Sequence, residues 1–236
     1  MERCAVKKFV AFCLAFMVVT LCVAWVRIAK ETAESPKSDI VVVLDAGHGG
    51  IDGGVTGVKT GVKESELNLK ICKEVKKLLE KSGINVVMTR TGNDGLYGAA
   101  TEGFKKRDML ARKKIINGSN ASCFVSVHIN YYSSPSRRGA QAFYRENDEE
   151  CERFAGIMQK NLNTLGGQTR SLAPLTGDYY VLNEAEPTAT LVECGFLSNE
   201  EDEKLLLTDE YRKEIAQKIA DGIMEYLFVG SSQKSR

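Results

Sequence analysis

At 236 residues, with 43% hydrophobic and 27% charged side chains, the chain has ordinary globular composition and room for one catalytic-sized domain plus an extra segment. A formal net charge of +1 supplies no field suited to nucleic acid or to broad adhesion to acidic polymers, so no nucleic-acid partner is expected and the site must identify what binds. Seven cysteines, an odd number with no pair at CxxC spacing, make neither a zinc ribbon nor a disulfide scaffold.

The N-terminus reads as an export and membrane segment. Residues 1–8 carry Arg3, Lys7 and Lys8; Phe9 to Val26 is an 18-residue apolar run broken only by Thr20; Arg27 and Lys30 follow. The run is close to the roughly 20 residues that span a bilayer. It exceeds the roughly 7 to 15 residues of a signal-peptide core and lacks a clear small-residue cleavage site, although Ala29 to Ala33 leaves cleavage open. An uncleaved anchor over 9–26 is the favoured reading, with the preceding basic residues keeping the N-terminus cytoplasmic and sending the rest outside. Residues 27–38, with Pro36, read as a tether, 39–229 as the folded domain and 230–236 as a polar tail.

The domain opens on Val41-Val42-Val43-Leu44, continuous apolar character suited to a strand covered on both faces, which runs into Asp45-Ala46-Gly47-His48-Gly49-Gly50. The turn presents His48 at the strand's C-terminal edge, where open α/β sheets bind ligands; a core histidine is the other reading of this stretch alone. Leu67, Ile71, Val75, Leu78 and Leu79 then recur at helical spacing up to Ser82-Gly83, and Ile84 to Thr89 is a strand. The stretch Gly92 to Lys106, with Gly95, Gly98 and Gly103, reads as a mobile surface loop, with a border of the binding groove as the alternative. A short helix over Arg107 to Asn117 precedes strands at Ala121 to His128 and Gly139 to Arg145, and Phe154, Ile157, Met158, Leu162 and Leu165 stripe a further helix. Tyr179 to Leu182 and Thr188 to Glu193 read as the last strands, and Tyr211 to Leu227 as a closing amphipathic helix. This alternation predicts an α/β fold: a single three-layer domain whose mostly parallel central sheet of about six strands is flanked by helices, preceded by the membrane segment.

Four residues at strand or turn ends carry candidate chemistry: His48, Glu64, His128 and Glu193. Each has a plain structural reading on its own; Glu64, for example, suits the positive end of a helix dipole. Together they are harder to dismiss, because both histidines of the chain and a glutamate inside an apolar strand fall at equivalent edges. An unpaired buried carboxylate there is costly without a cation. Two imidazoles and one carboxylate that leave a fourth position for water form a catalytic zinc arrangement, with Glu193 as the base.

The same residues lie in longer motifs: LDAGHGG at 44–50 with Asp52-Gly53-Gly54, VKESELNL at 62–69, MTR at 88–90, FVSVHIN at 124–130 and LVECGFLSN at 191–199. From about Ile40 to Phe228 the chain resembles the zinc-dependent N-acetylmuramoyl-L-alanine amidases of the Amidase_3 family, which cut peptidoglycan between the muramic acid lactyl group and L-alanine of the stem peptide. The resemblance implies one Zn2+ ion held by His48, Glu64 and His128, with Glu193 as the catalytic carboxylate. The family's helix motif begins Glu-Lys, whereas Ser65 follows Glu64 here, and Glu66 is a second, less favoured carboxylate. A short, anchored, single-domain form is similar to the spore-cortex amidases, which prepare muramic acid for conversion to muramic lactam. It implies an exported catalytic domain held by the membrane on the wall or cortex side, and makes an activating or localising protein a plausible partner.

Three residues are candidates for substrate binding. Asn130 is placed to hydrogen-bond substrate beside His128, with termination of the strand as the alternative. Arg90 and Arg112 are placed to bind stem-peptide carboxylates, with structural ion pairs as the alternative. Other functions remain open at this level: a zinc peptidase of the stem peptide, a sugar deacetylase, or a non-catalytic wall-binding protein. Glu193 argues against the last, because structural zinc sites are usually closed by four protein ligands.

Overall fold

The computed structural model describes residues 39–229 together with Met17, Val19 and Thr20. The chain divides into two units, residues 1–37 and 38–236. In the first, Met17, Val19 and Thr20 are helical, and Thr20 Oγ1 donates to the Met17 carbonyl at 2.8 Å. The rest of the expected anchor, the tether and the tail lie outside the described residues, among which no helix is long and apolar enough to cross a membrane.

The second unit holds strands β1 (Val41–Ala46), β2 (Asn85–Met88), β3 (Cys123–Asn130), β4 (Gln141–Tyr144), β5 (Leu175–Thr176) and β6 (Thr188–Phe196). Its helices are α1 (Glu64–Lys81), α2 (Phe104–Asn117), α3 (Glu149–Leu162), α4 (Tyr180–Asn183), α5 (Glu200–Leu206) and α6 (Asp209–Val229). The six strands form one sheet in the order β2-β1-β3-β6-β4-β5. β2, β1, β3 and β6 run parallel, but β4 is antiparallel to β6, and β5 follows β4 in parallel. The sheet is therefore mixed rather than mostly parallel.

Alternate side chains of β1 supply opposite faces of the sheet, as strand geometry requires. Val42, Leu44 and Ala46 join the core that packs on α1, α3 and α6 through Leu67, Ile71, Met158, Ile215 and Ile219. Val43 points the other way, into a smaller core with Phe124, Leu191, Ile116 of α2 and Leu182 of α4. Tyr180 to Asn183 is thus a helical turn where a strand was expected; only two of its residues, Val181 and Leu182, are buried, too few to reveal a helical period. α5 has no counterpart in the apolar pattern because it is mostly acidic; Asn199 caps it by accepting from the N–H groups of Glu201 and Asp202.

The three strands that carry candidate residues are neighbours. β1 lies beside β3 and β3 beside β6, all parallel, so their C-terminal ends reach the same edge. His128 is directly opposite Glu193 in the β3–β6 ladder, and the register then shifts between His128 and Asn130. Such an irregularity next to a site redirects the side chains that follow it.

Candidate active site

His48 projects from the turn after β1 with a left-handed backbone, φ 63°, uncommon for a residue with a side chain. The turn is held by Gly47 N–H donating to the Val127 carbonyl at 3.1 Å, which lays it across β3. A Cβ on Gly47 would collide with the His128 ring, so the close approach of the two histidines requires glycine there. Their ring centroids stand 5.0 Å apart, edge to face.

Glu64 is the first residue of α1 and is buried between them. Its Oε1 lies 3.0 Å from His128 Nδ1 and 3.4 Å from His48 Nε2. The carboxylate is fixed from behind: Oε2 accepts from Val55 N–H at 2.9 Å, and Oε1 accepts from Ile129 N–H and from Asn68 Nδ2, each at 3.1 Å. Gly54 closes the pocket at φ 69°, and a Cβ there would meet both Glu64 Oε2 and the His48 ring. One ligand atom from each of His48, Glu64 and His128 falls within 4.8 Å of the others, a group able to hold a metal ion. Glu66, by contrast, is exposed on the outer face of α1.

Asp52 completes the arrangement; its Oδ2 lies 3.0 Å from His48 Nδ1, leaving Nε2 turned to Glu64. Metal-binding histidines are commonly oriented by such an outer carboxylate. Asp52 belongs to the motif read from the sequence but was given no role there; its place four residues after His48 was the available signal. Burial disfavours protonated His48, yet the Asp52 and Glu64 carboxylates outweigh it and push the ring's pKa up to about 10. Burial likewise works against ionised Glu64, but the two histidines hold it well below the usual carboxylate range.

Glu193 enters from β6 across the ladder from His128. Its Oε2 is buried and has no hydrogen-bond partner among the described residues, and burial pushes its pKa up to about 7. A carboxyl poised near neutrality, with an unpartnered oxygen beside a cluster able to hold a metal ion, is suited to taking and returning a proton.

The expectations for Arg90 and Arg112 as substrate binders are corrected by their burial. Arg90 is spent on backbone carbonyls: Nε donates to Ala46 at 2.8 Å, and Nη2 donates to Gly47 at 2.9 Å and Ser65 at 2.8 Å, clamping the histidine turn to the start of α1. Arg112 is fully buried between Asp45 and Asp108 and donates to the His48 carbonyl at 2.6 Å. Both shape the turn that carries His48 and have no nitrogen to spare for substrate. Asn130 ends β3 on the wall of a cleft, where its Oδ1 accepts from Tyr131 N–H at 2.7 Å.

The glycine-rich stretch after Arg90 is tied down rather than loose. The Tyr97 hydroxyl accepts from Ile51 N–H at 2.9 Å, and Arg107 donates to the carbonyls of Tyr97, Ala99 and Glu102 at 2.7 to 3.0 Å. The stretch leads into α2, whose Phe104 and Met109 join Tyr179 and Tyr180 in lining a cavity of about 240 Å³ that opens onto His48 and His128.

Comparison with known proteins agrees with this architecture. Residues 42–225 match the Amidase_3 family profile, described as N-acetylmuramoyl-L-alanine amidase. The germination-specific N-acetylmuramoyl-L-alanine amidase of Bacillus subtilis (strain 168) is 34% identical over 195 residues, covering 81% of each chain. Among solved structures, the CwlD amidase from Clostridioides difficile, determined in complex with the GerS lipoprotein, superposes with a TM-score of 0.77 at 35% identity over 81% of this chain and 100% of that one. The catalytic domain of the amidase CwlV from Paenibacillus polymyxa gives a TM-score of 0.69 at 32% identity, covering 80% of this chain and 98% of its own. With the family profile spanning most of the chain and the relatives covered over most of their length, this protein belongs to the N-acetylmuramoyl-L-alanine amidase family, Amidase_3.

Proposed function

We propose that the chain is a zinc-dependent amidase that hydrolyses the bond between the muramic acid lactyl group and L-alanine of the peptidoglycan stem peptide, acting in spore cortex maturation. The observation that carries this reading is Glu193, buried with a free oxygen and set by strand register beside the His48, Glu64 and His128 cluster.

The donor set fits zinc. Two imidazole nitrogens and a carboxylate oxygen are its usual ligands, and ligand atoms about 2.1 Å from a tetrahedral centre stand about 3.4 Å from one another. The separations of 3.0 and 3.4 Å about Glu64 Oε1 match that spacing. When bound, zinc supplies a Lewis acid that eases deprotonation of water and polarises the scissile carbonyl. His48, Glu64 and His128 would hold the ion, and Asp52 fixes the His48 tautomer by accepting from Nδ1. Glu193 accepts the proton of the attacking water on its carboxylate. It then returns that proton to the alanine nitrogen as the C–N bond breaks, so one carboxylate serves as base and then acid. The products are a lactyl carboxylate on muramic acid and a peptide with a free alanine amine.

The germination-specific relative supports the cortex assignment. The GerS complex of the Clostridioides difficile protein supports a protein partner for this chain as well. The apolar run 9–26 supports an exported, membrane-held enzyme with its domain on the wall or cortex side.

The test is digestion of purified peptidoglycan by the full chain with zinc supplied, the fragments being read by mass. Free stem peptides beginning at alanine are expected, with their release falling about 10² to 10⁴-fold in Glu193→Gln while zinc content is retained. Cuts within the peptide, or loss of acetyl groups, would reassign the protein to another zinc hydrolase class. Undiminished release by the variant would remove Glu193 as base.

A further inference from the structure

A second cleft, of about 270 Å³, lies across the Phe143–Tyr179 ring pair from the cavity described above. It is bounded by the strand ends that bear the site: Asn130 stands two residues past His128, Phe196 three past Glu193, and Gln141 pairs with Glu193 across the sheet. Its charged lining consists of Arg137, Arg138 and Arg170, with no carboxylate. In a chain of net charge +1 this is a local concentration of one sign, whereas the walls of the other cavity carry both, Asp45, Asp52 and Asp108 with Lys105 and Arg112.

The arginines are not equally committed. Arg138 is half-buried and stands 3.4 Å from both Glu201 and Asp202, and its buried Nε has no hydrogen-bond acceptor among the described residues. Arg137 and Arg170 are exposed, and neither forms an ion pair among the described residues. Arg137 stacks over the Tyr132 ring, 4.8 Å to its centre, which fixes the guanidinium plane without using its donors. Apolar walls from Phe143, Leu172 and Phe196 lower the local dielectric around those donors.

We infer that this cleft binds a carboxylate of the departing stem peptide through Arg137 and Arg170, the two arginines of its lining that no carboxylate pairs among the described residues. The inference rests on the amidase reading for the identity of the peptide and deepens it. The two clefts then divide the substrate, the aromatic cavity facing the glycan side and the arginine cleft the peptide side. Guanidinium groups are well matched to this task because they offer a planar pair of donors to two carboxylate oxygens. An uncrosslinked stem peptide always ends in such a group.

The test measures binding without turnover. The full chain carrying Glu193→Gln, with zinc supplied, is titrated calorimetrically with a muramyl tripeptide bearing free carboxylates and with the same molecule whose peptide carboxylates are amides. The free acid is expected to bind about 10 to 100 times more tightly, as loss of a charge-assisted pair implies. Adding Arg137→Gln and Arg170→Gln is expected to bring both ligands to the weaker value without lowering the unfolding temperature, since both side chains are exposed. Equal binding of the two ligands before the arginines are changed overturns the inference, whether or not the unaltered enzyme cuts peptidoglycan. Discrimination that survives the arginine changes overturns the assignment to this cleft. Carboxylate discrimination that the arginine changes abolish, in a protein whose unaltered form cuts no muramyl amide, upholds the cleft and removes the amidase reading instead.

Discussion

At the scale of single residues, the site depends on side chains that never meet substrate. Asp52 orients His48, so Asp52→Ala is expected to weaken zinc binding about 10 to 100-fold in chelator competition while leaving the secondary structure unchanged. Asp45 belongs to the frame beneath the turn: it pairs with Arg112 and accepts from Thr89 at 2.6 Å and Ser126 at 2.7 Å. Burial alone would raise its pKa, but Arg112 and the two hydroxyls outweigh that and hold it at about 2. Removing its charge leaves the buried guanidinium with Asp108 as its remaining carboxylate partner, and Asp45→Asn is expected to cost about 1.5 to 3 kcal/mol in denaturant unfolding. The folded value lies below the unfolded value of about 3.9, so this stabilisation is fully present above about pH 4 and fades as pH falls toward 2. Comparing the two proteins at pH 7 and pH 3 should show the stability difference shrinking in acid; a constant gap would mean that Asp45 does not act through its charge.

At the scale of elements, legibility followed locality. β1, β3 and β6 announce themselves as apolar runs because both of their faces are covered, and each delivers its polar residue at the end of the run; His48, His128 and Glu193 could be found that way. The direction of β4 is not a local property. Its one clue is that residues 131–140 contain no helix and are short for a parallel crossover, which generally needs a dozen residues or more. The Gly92 to Lys106 stretch was legible as glycine-rich but not as pinned, because its anchors Tyr97 and Arg107 act through backbone carbonyls and a distant N–H. A second loop, residues 57–62, is held in a similar way by Glu203 of α5, which accepts from the N–H groups of Lys59 and Thr60 at 3.0 and 2.8 Å and from Thr60 Oγ1. Glu203→Gln is expected to cost about 1.5 to 3 kcal/mol and to expose Lys59 and Lys63 to trypsin under native conditions. Unchanged cleavage kinetics would show that the loop is held by other contacts.

At the scale of the whole molecule, the sheet and the site stabilise each other. Ligands from β3, α1 and the turn after β1 converge on one point, so a bound ion adds to folding stability by mass action. Stripping zinc with a chelator is expected to lower the unfolding temperature, with zinc restoring it in proportion to the logarithm of its concentration; no shift would place the ion elsewhere or nowhere. The four cysteines of the domain have a separate consequence. Cys72, Cys123, Cys151 and Cys194 are all buried and unpaired, and burial pushes each thiol's pKa up, Cys151 to about 11. They are thus neither nucleophilic nor accessible to reagents in solvent while the domain stays closed. This concealment makes the four thiols reporters of every opening of the core, and a pulse of alkylating reagent followed by peptide mapping at these four positions would time those openings one region at a time.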